Sequence, residues 1–197
     1  MLKNYQKGFT LVELLIVIGL LGALALIVIS AINPIEQSNR TRDTRFKTDG
    51  GQLISAIDRY FASHSSFPWV DAGLASDNDA AYGFVSASDQ GFGICGANCT
   101  SNGLLITTDE LKSEFRSRDF ISATTDDKKL YLGKEEGSSS SLYACFIPLS
   151  KATRSKSVNE GKVYTIDASD GTRTVTTSCD ADGVNWVTLG CHVCIPE

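Results

Sequence analysis

The chain has 197 residues, 42% of them hydrophobic, and a formal net charge of −5. That acidic balance argues against the dense lysine and arginine contacts by which proteins grip nucleic acid non-specifically, so nucleic acid is not indicated as a partner. The length leaves room for one modest domain beside any membrane segment.

The first element in chain order is the run "FTLVELLIVIGLLGALALIVISAI", residues 9–32, whose one charge is Glu13. As a helix it would extend about 36 Å, enough to cross a bilayer core of roughly 30 Å. Apolar residues fall on every side, which excludes an amphipathic surface helix. The run is too long for a secretory signal peptide, and no small-residue cleavage site closes it. Lys3 and Lys7 precede it, favouring a cytoplasmic amino terminus. A plain anchor leaves Glu13 unexplained, because a carboxylate costs about 2.5–3.5 kcal/mol at the centre of an inserting helix.

The residues Gly8-Phe9-Thr10-Leu11-Val12-Glu13-Leu14, followed by the unbroken run, resemble the class III signal of type IV pilins and type II secretion pseudopilins. The resemblance implies a cut by prepilin peptidase between Gly8 and Phe9, N-methylation of Phe9, and retention of the apolar helix. It also gives Glu13 a role, pairing with the amino-terminal ammonium of a neighbouring subunit and setting the stagger between packed helices. A charge pair in low dielectric attracts strongly, whereas either member alone is costly. The alternative is that Glu13 neutralises its own terminus one turn away.

Asn33-Pro34 predicts a kink or opening of the helix near residues 30–34. Beyond it, Leu53, Ile54, Ile57, Tyr60 and Phe61 recur with helical spacing and form a face to bury. Arg40, Arg42, Arg45 and Lys47 interleave with Glu36, Asp43 and Asp49, which reads as a solvated or subunit-contacting face. Gly50-Gly51 weakens the helix and suggests a hinge. The breakers in "SHSSFPW" end it by residues 65–68.

From residue 67 onward, "YGFVSA", "LLITTD", "KKLYLG", "SLYACFIPL", "KVYTIDA", "TRTVTTSC" and "VNWVTL" read as strands. "TTDELKSEFRSRDF" reads as a short helix opened by a Thr-x-x-Glu box at Thr107 or Thr108. "KEEGSSSS" reads as a loop. The fold class is α+β, a long amino-terminal helix packed on an antiparallel β-sheet head. The organisation expected is a leader at 1–8, a transmembrane and filament-core helix at 9–32, its continuation at 33–66, and a β-rich head at 67–197.

Six cysteines, Cys95, Cys99, Cys145, Cys179, Cys191 and Cys194, all lie in the head. An even number behind an export-like start predicts disulfides, with connectivity open. Cys95-x-x-x-Cys99 could close on itself. Cys191-x-x-Cys194 also has the spacing of a zinc half-site, which would join it to Cys95 and Cys99. Asp180-x-Asp182-Gly183 could begin a calcium loop, but no bidentate glutamate follows where an EF-hand needs one, and a tight turn explains it as well. With two histidines and no nucleophile or phosphate-loop motif, no enzyme is indicated.

The resemblance implies a pilin, the structural subunit of a homo-oligomeric helical filament. Its partners would be prepilin peptidase, an inner-membrane assembly platform and, before assembly, the lipid bilayer. The precursor would sit in the cytoplasmic membrane with its head outside, and the filament outside the cell or in the periplasm. A type II secretion pseudopilin is the alternative within the family. A membrane-tethered metal- or ligand-binding module is the alternative outside it.

Overall fold

The computed structural model describes residues 8–31, 33–96, 99–182 and 185–196. The chain divides into two units, Met1–Gln37 and Ser38–Glu197. Most of the expected leader, residues 1–7, lies outside the described residues.

In the first unit, α1 is Leu11–Ala31. Its described large apolar side chains are exposed, and they fall on every side of the helix. The stretch Leu11–Ile29 is long and apolar enough to cross a membrane.

Helix α2, Pro34–His64, opens with its own cap. The Asn33 side chain accepts the Glu36 N–H at 3.1 Å, and Pro34 stands where a missing N–H costs nothing. α2 closes where Ser65 turns to φ 58°. Its predicted face holds: Leu53, Ile57 and Tyr60 are buried, with Ile54 and Phe61 packed against the same core.

Gly50-Gly51 is not a break, since α2 runs through both without interruption. A Cβ on Gly50 would stand 3.0 Å from Ala144 Cβ and 3.1 Å from Ile195 Cδ1, so Gly50 lets helix and sheet approach. The charged stretch of α2 is not uniformly solvated either. Asp43 and Asp49 are buried at 1% and 2% exposure, Asp43 against the backbone of residues 149 and 150 and Asp49 against Arg118.

Four antiparallel strands form the main sheet in the order β1 (Tyr82–Ser86), β2 (Leu130–Lys134), β3 (Leu142–Phe146) and β6 (Val193–Ile195). Period-two alternation divides its faces. Leu130, Leu132, Ala144 and Phe146 join the α2 residues in one core. Cys145, Cys194 and Phe84 pack on the other face with Tyr131 and Tyr143, where Tyr164 and Ile166 of the β4 (Tyr164–Ile166) and β5 (Arg173–Val175) hairpin cover them. Arg173 of that hairpin lies between the Tyr143 and Tyr164 rings, 3.5 and 4.6 Å from their centroids. A third cluster of Ile147, Val163, Trp186 and Val193 surrounds the Cys179–Cys191 disulfide.

Short α3 (Pro68–Asp71) follows α2, and the buried Tyr60 donates its phenol O–H to Asp71 Oδ2 at 2.7 Å. Burial, with that carboxylate beside it, pushes the Tyr60 phenol up to about 12.

Several predicted elements differ. "LLITTD" is the helical turn α4 (Leu104–Thr107) rather than a strand, because Leu105 and Ile106 both bury from one turn. The longer helix predicted from Thr107 does not form. Thr107 and Thr108 return their hydroxyls to the Leu104 carbonyl, Asp109 turns to φ 60°, and only a 3₁₀ segment follows at Ser113–Ser117. The described part of "VNWVTL", residues 185–189, is not a strand but leads into a turn around buried Trp186, whose Nε1–H donates to the Asp180 carbonyl at 2.8 Å. Elements that escaped the sequence reading include α3, α5 (Lys151–Asn159), capped by Ser150, and strand β6.

Candidate functional site: the processing and assembly segment

Gly8 and Phe9 precede α1 in irregular, exposed backbone, and Phe9 is 83% exposed. The helix itself is opened by Thr10 and Glu13. Thr10 donates its N–H and its hydroxyl to Glu13 Oε2, both at 2.8 Å, and the Glu13 N–H donates to Thr10 Oγ1 at 3.2 Å. This is a reciprocal capping box, which satisfies donors that a helix start otherwise leaves without partners. It also fixes where the helix begins, two residues beyond the Gly8–Phe9 bond.

Two chemical consequences follow. The Gly8–Phe9 peptide lies outside helical hydrogen bonding, as a peptidase needs for its substrate. A cut there would place an ammonium on the residue preceding Thr10, within one turn of the Glu13 carboxylate. The Thr-x-x-Glu pattern is as legible at Thr10 as at Thr107, and Thr10 is the residue whose part the sequence reading missed.

All six cysteines pair, as Cys95–Cys99, Cys145–Cys194 and Cys179–Cys191. Cys191-x-x-Cys194 therefore does not act as a unit. Cys145 and Cys194 face each other in register across β3 and β6, while Cys191, just before β6, is drawn to Cys179. The pairing corrects the zinc reading, since it leaves no thiolate to bind the metal.

Between those cysteines, His192 is buried, with Nδ1 2.8 Å from the Gly190 carbonyl and its ring edge against Tyr131. Burial holds its imidazole below the usual histidine range. Asp182 pairs with Lys151, which lowers its carboxyl, and Asp180 contributes its carbonyl to Trp186. Gly183, the remaining member of the calcium-loop motif, lies outside the described residues. Among the described residues no three His, Cys, Asp or Glu side chains gather as a metal site.

Residues 3–29 match the family model of the prokaryotic N-terminal methylation motif. The chain is 29% identical over 105 residues to a fimbrial protein of Neisseria meningitidis serogroup A, covering 52% of this chain and 61% of that protein. It is 24% identical over 172 residues to the type IV major pilin protein PilE of Neisseria gonorrhoeae, covering 83% and 92% of the two chains. It is 36% identical over 76 residues to the type II secretion system core protein G of Klebsiella michiganensis, covering 38% and 51%. The first of these matches thus spans about three fifths of its relative's length. No solved structure matches.

Proposed function

We propose that this chain, a member of the type IV pilin and type II secretion pseudopilin family, is the precursor of a pilin that builds a surface filament by packing α1 against copies of itself. The observation that carries the reading is the amino-terminal segment. A matched methylation motif, an accessible Gly8–Phe9 bond and a capped helix with apolar residues on every side occur together. Prepilin peptidase would cut after Gly8, Phe9 would be methylated, and an inner-membrane platform would draw subunits from the bilayer into the fibre. In the fibre, outside the bilayer, packing of α1 side chains between subunits would keep them from water, and at about 25 cal/mol per Å² of apolar surface so shielded it would supply cohesion. The role is structural, with Glu13 setting register instead of performing turnover.

The pseudopilin reading keeps the same cut and packing but ends in a short periplasmic fibre. The similarity to secretion core protein G favours it, and the similarity to fimbrial proteins and PilE favours the pilin.

The test is the intact mass and amino-terminal sequence of the protein from cells holding the matching peptidase. A chain beginning at methylated Phe9 is expected, and Glu13→Ala should then abolish or strongly reduce filaments while leaving the cut intact. A chain still beginning at Met1 beside an active peptidase would reduce α1 to an anchor and overturn the proposal.

A further inference from the structure

We infer that the Cys95–Cys99 bridge is a thiol–disulfide exchange site, opened by a C-x-x-C oxidoreductase whose thiolate attacks Cys99 Sγ, while the other two bridges are structural. Accessibility singles it out. Five of the six cysteines are exposed by 5% or less, and Cys99 is the one that is partly exposed. Its Sγ lies 3.8 Å from the Ser88 carbonyl oxygen. Both residues line a surface pocket of about 370 Å³, together with Ser86, Asp89, Gln90 and Ile121. Apart from Ile121 these walls are polar, so a partner's cysteine can approach Cys99 without displacing the core.

The local chain favours exchange at this bridge. Its sequence separation of 4 is the shortest of the three, so it gains least from loop closure and opens at least cost. Cys99 stands at φ 54°, a left-handed conformation that a residue with a Cβ adopts at a cost, and opening the ring lets it relax. The surrounding turn has fastenings of its own. The Gly96 N–H donates to the Ser101 carbonyl and the Gly103 N–H to the Ile94 carbonyl, both at 3.0 Å. Arg116 donates to the Cys99 carbonyl and to Asn102 Oδ1. The bridge can therefore open without unfolding the head.

The exchange proceeds in two displacements. The partner's first thiolate bonds to Cys99 Sγ as the bond between the two cysteines breaks, and Cys95 leaves as a thiolate that takes a proton from water. The partner's second thiolate then attacks its own bonded sulfur, closing the partner's disulfide and releasing Cys99, which is protonated in turn. Two electrons pass from the dithiol to the bridge, and the dithiol is oxidised. Cys99 is the sulfur attacked because Cys95, at 1% exposure, is out of reach of a protein nucleophile.

The inference concerns the head and does not rest on filament assembly, so the test uses the oxidised full chain in zwitterionic micelles. The probe is a thioredoxin whose second active-site cysteine is replaced by serine, which stops the reaction at the mixed disulfide. Peptide mass spectrometry maps the adduct, and Trp fluorescence reports the fold. An adduct on Cys99 with native fluorescence is expected. In a second measurement, timed reduction by dithiothreitol is quenched with N-ethylmaleimide. Cys95 and Cys99 should be labelled about tenfold or more faster than the other four cysteines. No adduct, an adduct on any other cysteine, or another bridge opening as fast as Cys95–Cys99 would overturn the assignment.

Discussion

The Asp43 carboxylate is where a charged residue of α2 becomes part of the interior. It accepts the N–H groups of Leu149 and Ser150 at 3.1 and 2.9 Å, at the point where the chain leaves β3 and enters α5. Arg42 stands beside it at 3.1 Å and donates to the Ile147 carbonyl at 3.0 Å. Removing the carboxylate leaves buried donors without acceptors, at about 1–3 kcal/mol each. We expect Asp43→Ala to lower stability by about 3 kcal/mol, and Asp43→Asn, which keeps one acceptor, by about half that. Asp49 is the contrast. Its Oδ2 has no partner, its Arg118 contact is 3.4 Å, and burial pushes its carboxyl up. Asp49→Asn should therefore cost under about 1 kcal/mol. Urea midpoints of the full chain in micelles would decide, and equal losses at the two sites would contradict this account.

At the scale of elements, the glycine pair in α2 separates two explanations. If Gly50-Gly51 were a hinge, alanine at either position would stiffen the helix alike. The packing says otherwise, because nothing lies within 4 Å of a Cβ on Gly51, whereas one on Gly50 meets Ala144 and Ile195. Gly51→Ala should stabilise by about 0.5–1 kcal/mol through helix propensity. Gly50→Ala should destabilise by about 1–2 kcal/mol as helix and sheet are forced apart. Opposite signs in thermal unfolding are the expected result, and a gain at both positions would restore the hinge. The same position shows what sequence makes legible. The apolar spacing of Leu53, Ile57 and Tyr60 declares the buried face of α2, because that periodicity is a property of the helix alone. The purpose of Gly50 depends on Ala144 and Ile195, far away in sequence, and cannot be read locally. Strand β6 was hidden because its signal was absorbed by Cys191-x-x-Cys194, and α5 because a polar surface helix has little apolar period. In the segment that matches the methylation motif, the pattern was legible because its spacing is local, as was the capping box at Thr10.

At the scale of the molecule, three disulfides hold a head whose apolar residues fall into three separate clusters. They close loops of very different length, with sequence separations of 49 for Cys145–Cys194, 12 for Cys179–Cys191 and 4 for Cys95–Cys99. In the chain-entropy model the stabilisation grows with the logarithm of loop length, giving about 4, about 3 and about 2 kcal/mol in that order. The long bridge ties β6 to β3 and so brings the end of the chain back to the central sheet. The middle bridge encloses the small cluster around Trp186. Replacing each pair by alanines should lower the urea midpoint in the same order. Loss of Cys179–Cys191 should in addition change Trp186 emission before global unfolding, since that bridge closes the loop that carries Trp186. A largest loss at Cys95–Cys99, or Trp186 emission indifferent to Cys179–Cys191, would show that packing rather than crosslinking orders the carboxy-terminal part of the head.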